Sequence, residues 1–160
     1  MRLQISTEIN CSFDAARKEV LRTRLTQHVA YPLAMFTPIE PKELPEQWKT
    51  GKYLVRLFVL GFIPFGKHSV VISIPGTATP DTCFQMRDNG YGDVITKWDH
   101  LVTIQKSTDS AALYTDEVVV EAGVLTPLVW MFASLFYRYR QARWRKLVAN
   151  KFRSIHDDEH

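Results

Sequence analysis

The sequence has few of the residues and motifs that identify many enzymes and metal proteins. It holds only two cysteines, Cys11 and Cys83, and neither belongs to a CxxC or Cys/His pattern, so a zinc site is not expected. It also lacks a Walker loop, a GxSxG elbow, an HExxH motif and a dinucleotide fingerprint. These motifs place phosphate-binding amides, nucleophiles or metal ligands where the chemistry needs them. We therefore expect no metal and no cofactor.

An export signal is not visible either. The first residues, MRLQISTEINCSF, alternate apolar and polar side chains and lack the continuous apolar core of a signal peptide. The sequence thus favours a cytoplasmic protein with two reduced thiols, although the count also permits one disulfide.

Net charge is small and unevenly distributed. The chain carries +3 overall, and from Arg138 onward seven Lys and Arg stand against three acidic residues. That gives +4 for this end and −1 for the rest of the chain. Nucleic-acid binding is not expected, because the positive charge is confined to one end and no recognised module is present.

The pattern along the chain predicts one α+β domain over residues 1–153, with 154–160 as a frayed tail. Period-two alternation in LQISTEINCSF indicates a first strand. Ser12 or Asp14 can cap a helix that follows. The next segment has four prolines, at 32, 38, 41 and 45, and it predicts a short helix or turn and then an irregular connection.

Five or six strands are expected after this connection. KYLVRLFVLGFIPFG and KHSVVISIPG supply extended runs, and Asn89-Gly90 predicts a hairpin turn between two more. The segment before Gly123 completes the run as the last strand.

The C-terminal segment is the most distinctive part of the sequence. It reads GVLTPLVWMFASLFYRYRQARWRKLV, with sixteen uncharged residues from Ala122 to Tyr137. A membrane-spanning helix needs about 20 apolar residues, so a long amphipathic helix covering a sheet is favoured instead. Its apolar face is predicted to hold Leu125, Leu128, Val129, Phe132, Leu135, Phe136 and Tyr139. The opposite face is predicted to hold Ser134, Arg138, Gln141 and Arg145.

The stretch YTDEVVVEAGVLTPLVWMFASLFYRYRQARWRKL, Tyr114 to Leu147, resembles the last strand, turn and C-terminal helix of the START-like superfamily, also called SRPBCC or helix-grip proteins. SFDAARKEV is similar to that family's first strand-to-helix junction, although the frequent proline is replaced by Ala15-Ala16. The resemblance covers about residues 3–150. It implies a curved antiparallel sheet of six or seven strands wrapped around the C-terminal helix, two short helices after the first strand, and an apolar cavity. Members bind lipids, sterols or polyketides, and some are cyclases, aromatases or hydratases.

Strand phase selects the candidate ligand-binding residues. Four polar side chains share strand faces with apolar neighbours, and they are Arg56, His68, His100 and Asp116. An ionisable group in an apolar wall is costly unless it is paired, so these residues could hold the polar head of a ligand. The resemblance implies that Phe132 and Phe136 contribute apolar wall, and Trp98 is expected to do so with them. Each of these residues could instead serve the core or an ordinary ion pair.

Three functions remain open on the sequence alone. The first is non-catalytic binding of a hydrophobic small molecule, lipid or polyketide-like, between sheet and helix. The second is a cyclase- or hydratase-like enzyme in which a His–Asp pair acts as general base. The third is a peripheral module whose basic helix end contacts anionic membrane or a partner. The oligomeric state is not predicted.

Overall fold

The structure is a computed structural model, and it describes residues 1–156 of the chain. The strands are β1 (Arg2–Ile9), β2 (Ala34–Glu40), β3 (Gly51–Val59), β4 (Ile63–Ser73), β5 (Cys83–Gly92), β6 (Lys97–Lys106) and β7 (Ala112–Glu121). The helices are α1 (Phe13–Val20), α2 (Thr23–Ala30), α3 (Thr126–Ala149) and α4 (Arg153–His156).

All seven strands form one curved antiparallel sheet in the order β1-β7-β6-β5-β4-β3-β2. Strands β2 to β7 follow one another as a meander, and β1 pairs with the last strand along its whole length. Helices α1 and α2 carry the chain from one edge of the sheet to the other. Helix α3 packs against β1, β7 and α2. The predicted α+β architecture, with its two short helices after β1 and a long C-terminal helix, is confirmed.

Local sequence explains where α1 and α3 begin. The Ser12 hydroxyl accepts a hydrogen bond from the amide of Ala15 at 3.2 Å, which satisfies one of the free N–H groups of the first turn. Pro127 lies in the first turn of α3, where its missing N–H removes no helical hydrogen bond. Of the two caps considered for α1, the structure uses Ser12.

The proline-rich segment contains a strand that the sequence pattern did not predict. Residues Ala34–Glu40 form β2, which pairs only with β3 and is therefore an edge strand. The register shifts between Pro38 and Glu40. Proline is tolerated at such an edge or bulge because its missing N–H interrupts no central ladder, so the expectation of an irregular connection was wrong here.

The predicted hairpin at Asn89-Gly90 is also wrong. Both residues lie inside β5, and the connection to β6 occupies residues 93–96. A Cβ on Gly90 would lie 2.7 Å from Nε2 of His68 and 2.8 Å from the carbonyl oxygen of Ser69. Glycine at this position thus allows two strands and an imidazole to approach closely, which is a common reason for glycine inside a strand.

Helix α3 is rotated relative to the face that the sequence predicted. Val129 and Phe136 point inward as expected, but Leu128 and Leu135 are 59% and 62% exposed. Ser134 and Gln141, predicted to face outward, are buried. The helix therefore buries polar as well as apolar side chains. For this reason the positions of its apolar residues alone predict the wrong inward face.

The described chain ends in the short helix α4. Residues 154–156, predicted to begin the frayed tail, belong to α4, and Ile155 is buried in the core. The remaining residues of that predicted tail lie outside the described part of the chain. Within residues 1–156, no helix combines the length and the apolar character that crossing a bilayer requires.

Candidate functional site

A cavity of about 300 Å³ lies between the concave face of the sheet and the first half of α3. This volume is at the lower end of the range for small-molecule sites. Most of its wall is apolar. Side chains from α2, the central strands, the connection between β5 and β6, and α3 supply that wall, among them Ala30, Val55, Leu57, Phe65, Val70, Ile72, Met86, Ile95, Val129, Phe132 and Phe136. Leu125 and Leu128, at the start of α3, line it while remaining substantially exposed.

Five of the seven predicted site residues line this cavity. They are His68, Trp98, His100, Phe132 and Phe136. Two rings stack along α3, with the centroids of Phe132 and Phe136 6.0 Å apart. Trp98 stacks at 6.1 Å on Tyr137, which is itself part of the wall. Period-two alternation therefore placed both histidines and the tryptophan on the correct strand faces.

Arg56 does not belong to the site. It was predicted to lie on the inner face of β3 together with Leu54 and Phe58. In the structure it is exposed on the outer face of that strand. The inward residues are instead Tyr53, Val55 and Leu57. The two charged residues of β3, Lys52 and Arg56, share one phase and are both exposed. Leu54 and Phe58 share that phase and masked the signal, and an error of one residue reverses every side chain.

Asp116 is fully buried beside the cavity and forms the centre of a polar network. Its Oδ1 lies 2.8 Å from Nε2 of His100 and accepts a hydrogen bond from the Tyr114 hydroxyl at 3.0 Å. Its Oδ2 accepts one from Gln141 at 3.1 Å. The guanidinium of Arg140 donates to the Tyr114 hydroxyl at 3.0 Å. Strands β6 and β7 thus connect to α3 through side chains rather than backbone.

The protonation states of Asp116 and His100 depend on their burial and on the positive charge of Arg140. Burial by itself would raise the pKa of Asp116, but the positive charge of Arg140 and the hydrogen bond from His100 lower that pKa below its usual value. For His100, burial dominates and lowers the pKa despite the hydrogen bond to Asp116. An ionised carboxylate only accepts hydrogen bonds. Neutral His100 must therefore donate through Nε2, which leaves Nδ1 as an acceptor.

Two further ionisable groups, buried His68 and half-buried Asp88, also line the cavity. The backbone amide of Val71 donates to Oδ1 of Asp88 at 2.8 Å. Burial nevertheless raises the pKa of Asp88 to about 7, and burial lowers the pKa of His68 to about 4. At neutral pH the histidine is uncharged, and the carboxyl is in its titration range.

The sequence reasoning missed three residues of the polar wall, namely Asp88, Tyr137 and Arg140. Asp88 shares a strand phase with Phe84 and Met86, so alternation could have found it, but its position before Asn89-Gly90 suggested a turn. Arg140 was grouped with the basic helix end, although it lies one helical turn from buried Phe136.

The basic helix end is largely engaged with the protein itself. Arg143 contacts Nε2 of His28 at 3.0 Å and donates to the Tyr139 hydroxyl at 3.1 Å. Arg145 donates to the Thr7 hydroxyl at 2.9 Å, and Arg140 lines the cavity. Contact with anionic membrane stays a prediction.

Metal ligation has no support in the described part of the chain, where no three His, Cys, Asp or Glu side chains cluster suitably. Cys11 and Cys83 are both free thiols, and burial raises the pKa of the Cys11 thiol to about 11. A thiol with such a pKa carries little of the reactive thiolate at neutral pH.

Comparison with known proteins supports the fold through structure and not through sequence. No protein-family model matches the chain, and no curated protein matches it. A START superfamily protein from Mycobacterium smegmatis superposes with a TM-score of 0.63 at 12% identity, covering 93% of this chain and 97% of that chain. The Zhui aromatase/cyclase from Streptomyces sp. R1128 gives 0.55 at 8% identity, covering 94% and 92%.

A third solved structure is similar to about the same extent. Norcoclaurine synthase from Thalictrum flavum, a point mutant in complex with a transition-state analogue, gives a TM-score of 0.61 at 12% identity, covering 94% of this chain and 95% of that chain. Identities this low carry information about architecture alone. The seven-stranded sheet, its long C-terminal helix and these superpositions together show that the chain has the START-like, helix-grip fold.

Proposed function

We propose that the protein binds a hydrophobic small molecule, lipid or polyketide-like, in the cavity between the sheet and α3, without catalysis. One observation carries this proposal: a cavity of about 300 Å³ whose wall is mainly apolar and whose few polar groups cluster at one side. Binding sites for small molecules combine an apolar wall with a small number of orienting polar groups. Structural neighbours whose printed names include an aromatase/cyclase and a synthase with a bound transition-state analogue support the use of this fold for small molecules, although both of those proteins are named as enzymes.

A neutral fluorescent dye tests this proposal directly. N-phenyl-1-naphthylamine brightens in apolar surroundings, and we expect saturable, one-to-one binding to the purified protein. Val129→Phe would fill part of the cavity, because Val129 lines it and is 5% exposed. The control is Val124→Phe, since Val124 is 95% exposed. Loss of binding in Val129→Phe alone supports the proposal. No saturable binding by the wild-type protein refutes it.

Native mass spectrometry of protein purified from its host provides a test without a chosen probe. We expect an added mass of a hydrophobic compound that organic solvent extracts. An unliganded mass, combined with no gain in melting temperature across a library of lipids and aromatic compounds, would count against binding.

The second candidate is a cyclase- or hydratase-like enzyme, and the 2.8 Å contact between His100 and Asp116 favours it. A neutral imidazole oriented by a carboxylate can act as general base. Its Nδ1 would take a proton from the carbon next to a ketone and leave an enolate. We expect the wild-type protein to accelerate deuterium exchange at that carbon of 1-tetralone in D₂O, as followed by NMR. His100→Gln should abolish the acceleration, and equal exchange with and without wild-type protein would exclude this alternative.

A further inference from the structure

Arg140 is the only side chain with a permanent positive charge in the cavity wall formed by the described residues. It is 5% exposed, whereas Arg145 on the same helix is exposed. The aromatic ring of Tyr137 lies beneath the guanidinium, with Cζ 5.7 Å from the ring centroid. The charge is therefore fixed in position at the polar side of the cavity, between α3 and the sheet.

Most of the donors of Arg140 are unused by the described chain. A guanidinium has five N–H groups, and residues 1–156 supply it with one hydrogen bond, to the Tyr114 hydroxyl. The Nε atom is buried and has no partner in that part of the chain. Leaving buried charged donors unpaired is costly. A ligand that occupies the cavity and carries acceptor oxygens would satisfy those donors of Arg140 that face the cavity.

The charge of Arg140 is also not cancelled by a direct ion pair within residues 1–156. Asp116, the ionised carboxylate of the network, already accepts from His100, Tyr114 and Gln141. Arg140 reaches it only through the Tyr114 hydroxyl. Asp88 is the other acidic group in the cavity wall, and its own hydrogen bond comes from the amide of Val71.

We propose that Arg140 binds the carboxylate of the ligand, so that the protein selects hydrophobic carboxylic acids over neutral molecules of the same shape. This inference rests on the proposed function, because it concerns the same cavity. A carboxylate matches the planar, forked donors of a guanidinium and can form two parallel hydrogen bonds with it. It also brings one negative charge to a guanidinium that has no direct ion pair within residues 1–156. A doubly charged phosphate monoester would bring a second negative charge, and the described cavity wall has no second permanent cation to offset it.

A matched pair of ligands tests the inference on the wild-type protein. The neutral dye N-phenyl-1-naphthylamine is bound first, and it is then displaced with 2-naphthoate or with 2-naphthalenemethanol. These competitors share one ring system and differ in charge. We expect the acid to displace the dye at least about tenfold more tightly than the alcohol, because hydrogen bonds to charged groups are about twice as strong as neutral ones. Equal or weaker displacement by the acid overturns the inference.

Two variants locate the effect. Arg140→Gln should reduce the preference for the acid over the alcohol to below about threefold, on the same reasoning. Arg145→Gln removes the same charge from the exposed side of the helix and should keep the preference. If both variants keep it, Arg140 is not the anchor. Should Arg140→Gln fail to fold, the acid-to-alcohol ratio of the wild-type protein still decides. Failure of the dye to bind at all would instead refute the proposed function.

Discussion

Replacing Asp88 by Asn is expected to stabilise the protein at neutral and alkaline pH. Asp88 is half-buried in the cavity wall, and its Oδ1 accepts a hydrogen bond from the amide of Val71 at 2.8 Å. Asparagine has a carbonyl oxygen that can accept the same hydrogen bond, and it carries no charge. The variant therefore keeps the local geometry and removes only the cost of ionising a buried carboxyl.

The size of the effect follows from the pKa of Asp88, which burial raises from 3.8 to about 7. A raised carboxyl pKa means that the folded state favours the neutral form. The associated stability is fully present below pH 3.8 and is lost as pH rises through about 7. At about 1.4 kcal/mol for each pKa unit, the wild-type protein should lose about 3 kcal/mol between pH 5 and pH 8 through this group.

Urea unfolding at pH 5 and pH 8 measures this loss. The free energy of unfolding of Asp88→Asn minus that of wild type should grow by about 3 kcal/mol between the two pH values. Asp81→Asn is the control, because Asp81 is exposed, and its difference from wild type should stay constant. A difference for Asp88→Asn that is unchanged with pH would refute the assignment of a buried, near-neutral carboxyl.

Three further predictions concern the residues around the cavity. Gly90→Ala should lower the free energy of unfolding by about 1–3 kcal/mol through overpacking, because its Cβ would clash with His68 and with a backbone oxygen. Gly76→Ala, with no neighbour within 4 Å, should change the melting temperature little, and equal shifts would contradict the packing argument. His68 has a pKa lowered to about 4 from 6.5, so its contribution is present above pH 6.5 and is lost as pH falls towards 4. His68→Gln should thus flatten the acid side of the stability profile, and an unchanged profile would show that His68 is not buried as described. Asp116→Ala should cost about 3–5 kcal/mol in urea unfolding, because it leaves the buried Arg140 charge uncompensated; a loss as small as that of Asp81→Ala would show that the network is dispensable.

Several elements of the fold could be predicted because their signals are local. Alternation in β1, β6 and β7 identifies strands wherever one face is polar and the other apolar. Ser12 marks the start of α1 through a hydrogen bond three residues away. For the same reason, the inward positions of His68 and His100 followed from their immediate neighbours.

Other positions could not be predicted because local patterns leave them undetermined. In β3 only Lys52 and Arg56 distinguish the outer face from the inner one, because Leu54 and Phe58 on that outer face are apolar, and this signal was too weak to set the phase. The Asn89-Gly90 pair has the composition of a turn, whereas its real constraint is an imidazole on the neighbouring strand. The first error concerns which face of a strand points inward, and the second concerns where a strand ends.

The sequence by itself thus determined the number and kind of most elements, since periodicity and capping act over a few residues. Only the tertiary structure decided which polar groups meet in the cavity. Arg140 and Gln141 on α3 are buried against β7, where Arg140 donates to Tyr114 and Gln141 donates to Asp116. The two residues of each hydrogen-bonded pair lie about 25 positions apart in the chain. Hydrogen bonds at that separation depend on how helix and sheet pack, and no local pattern records them.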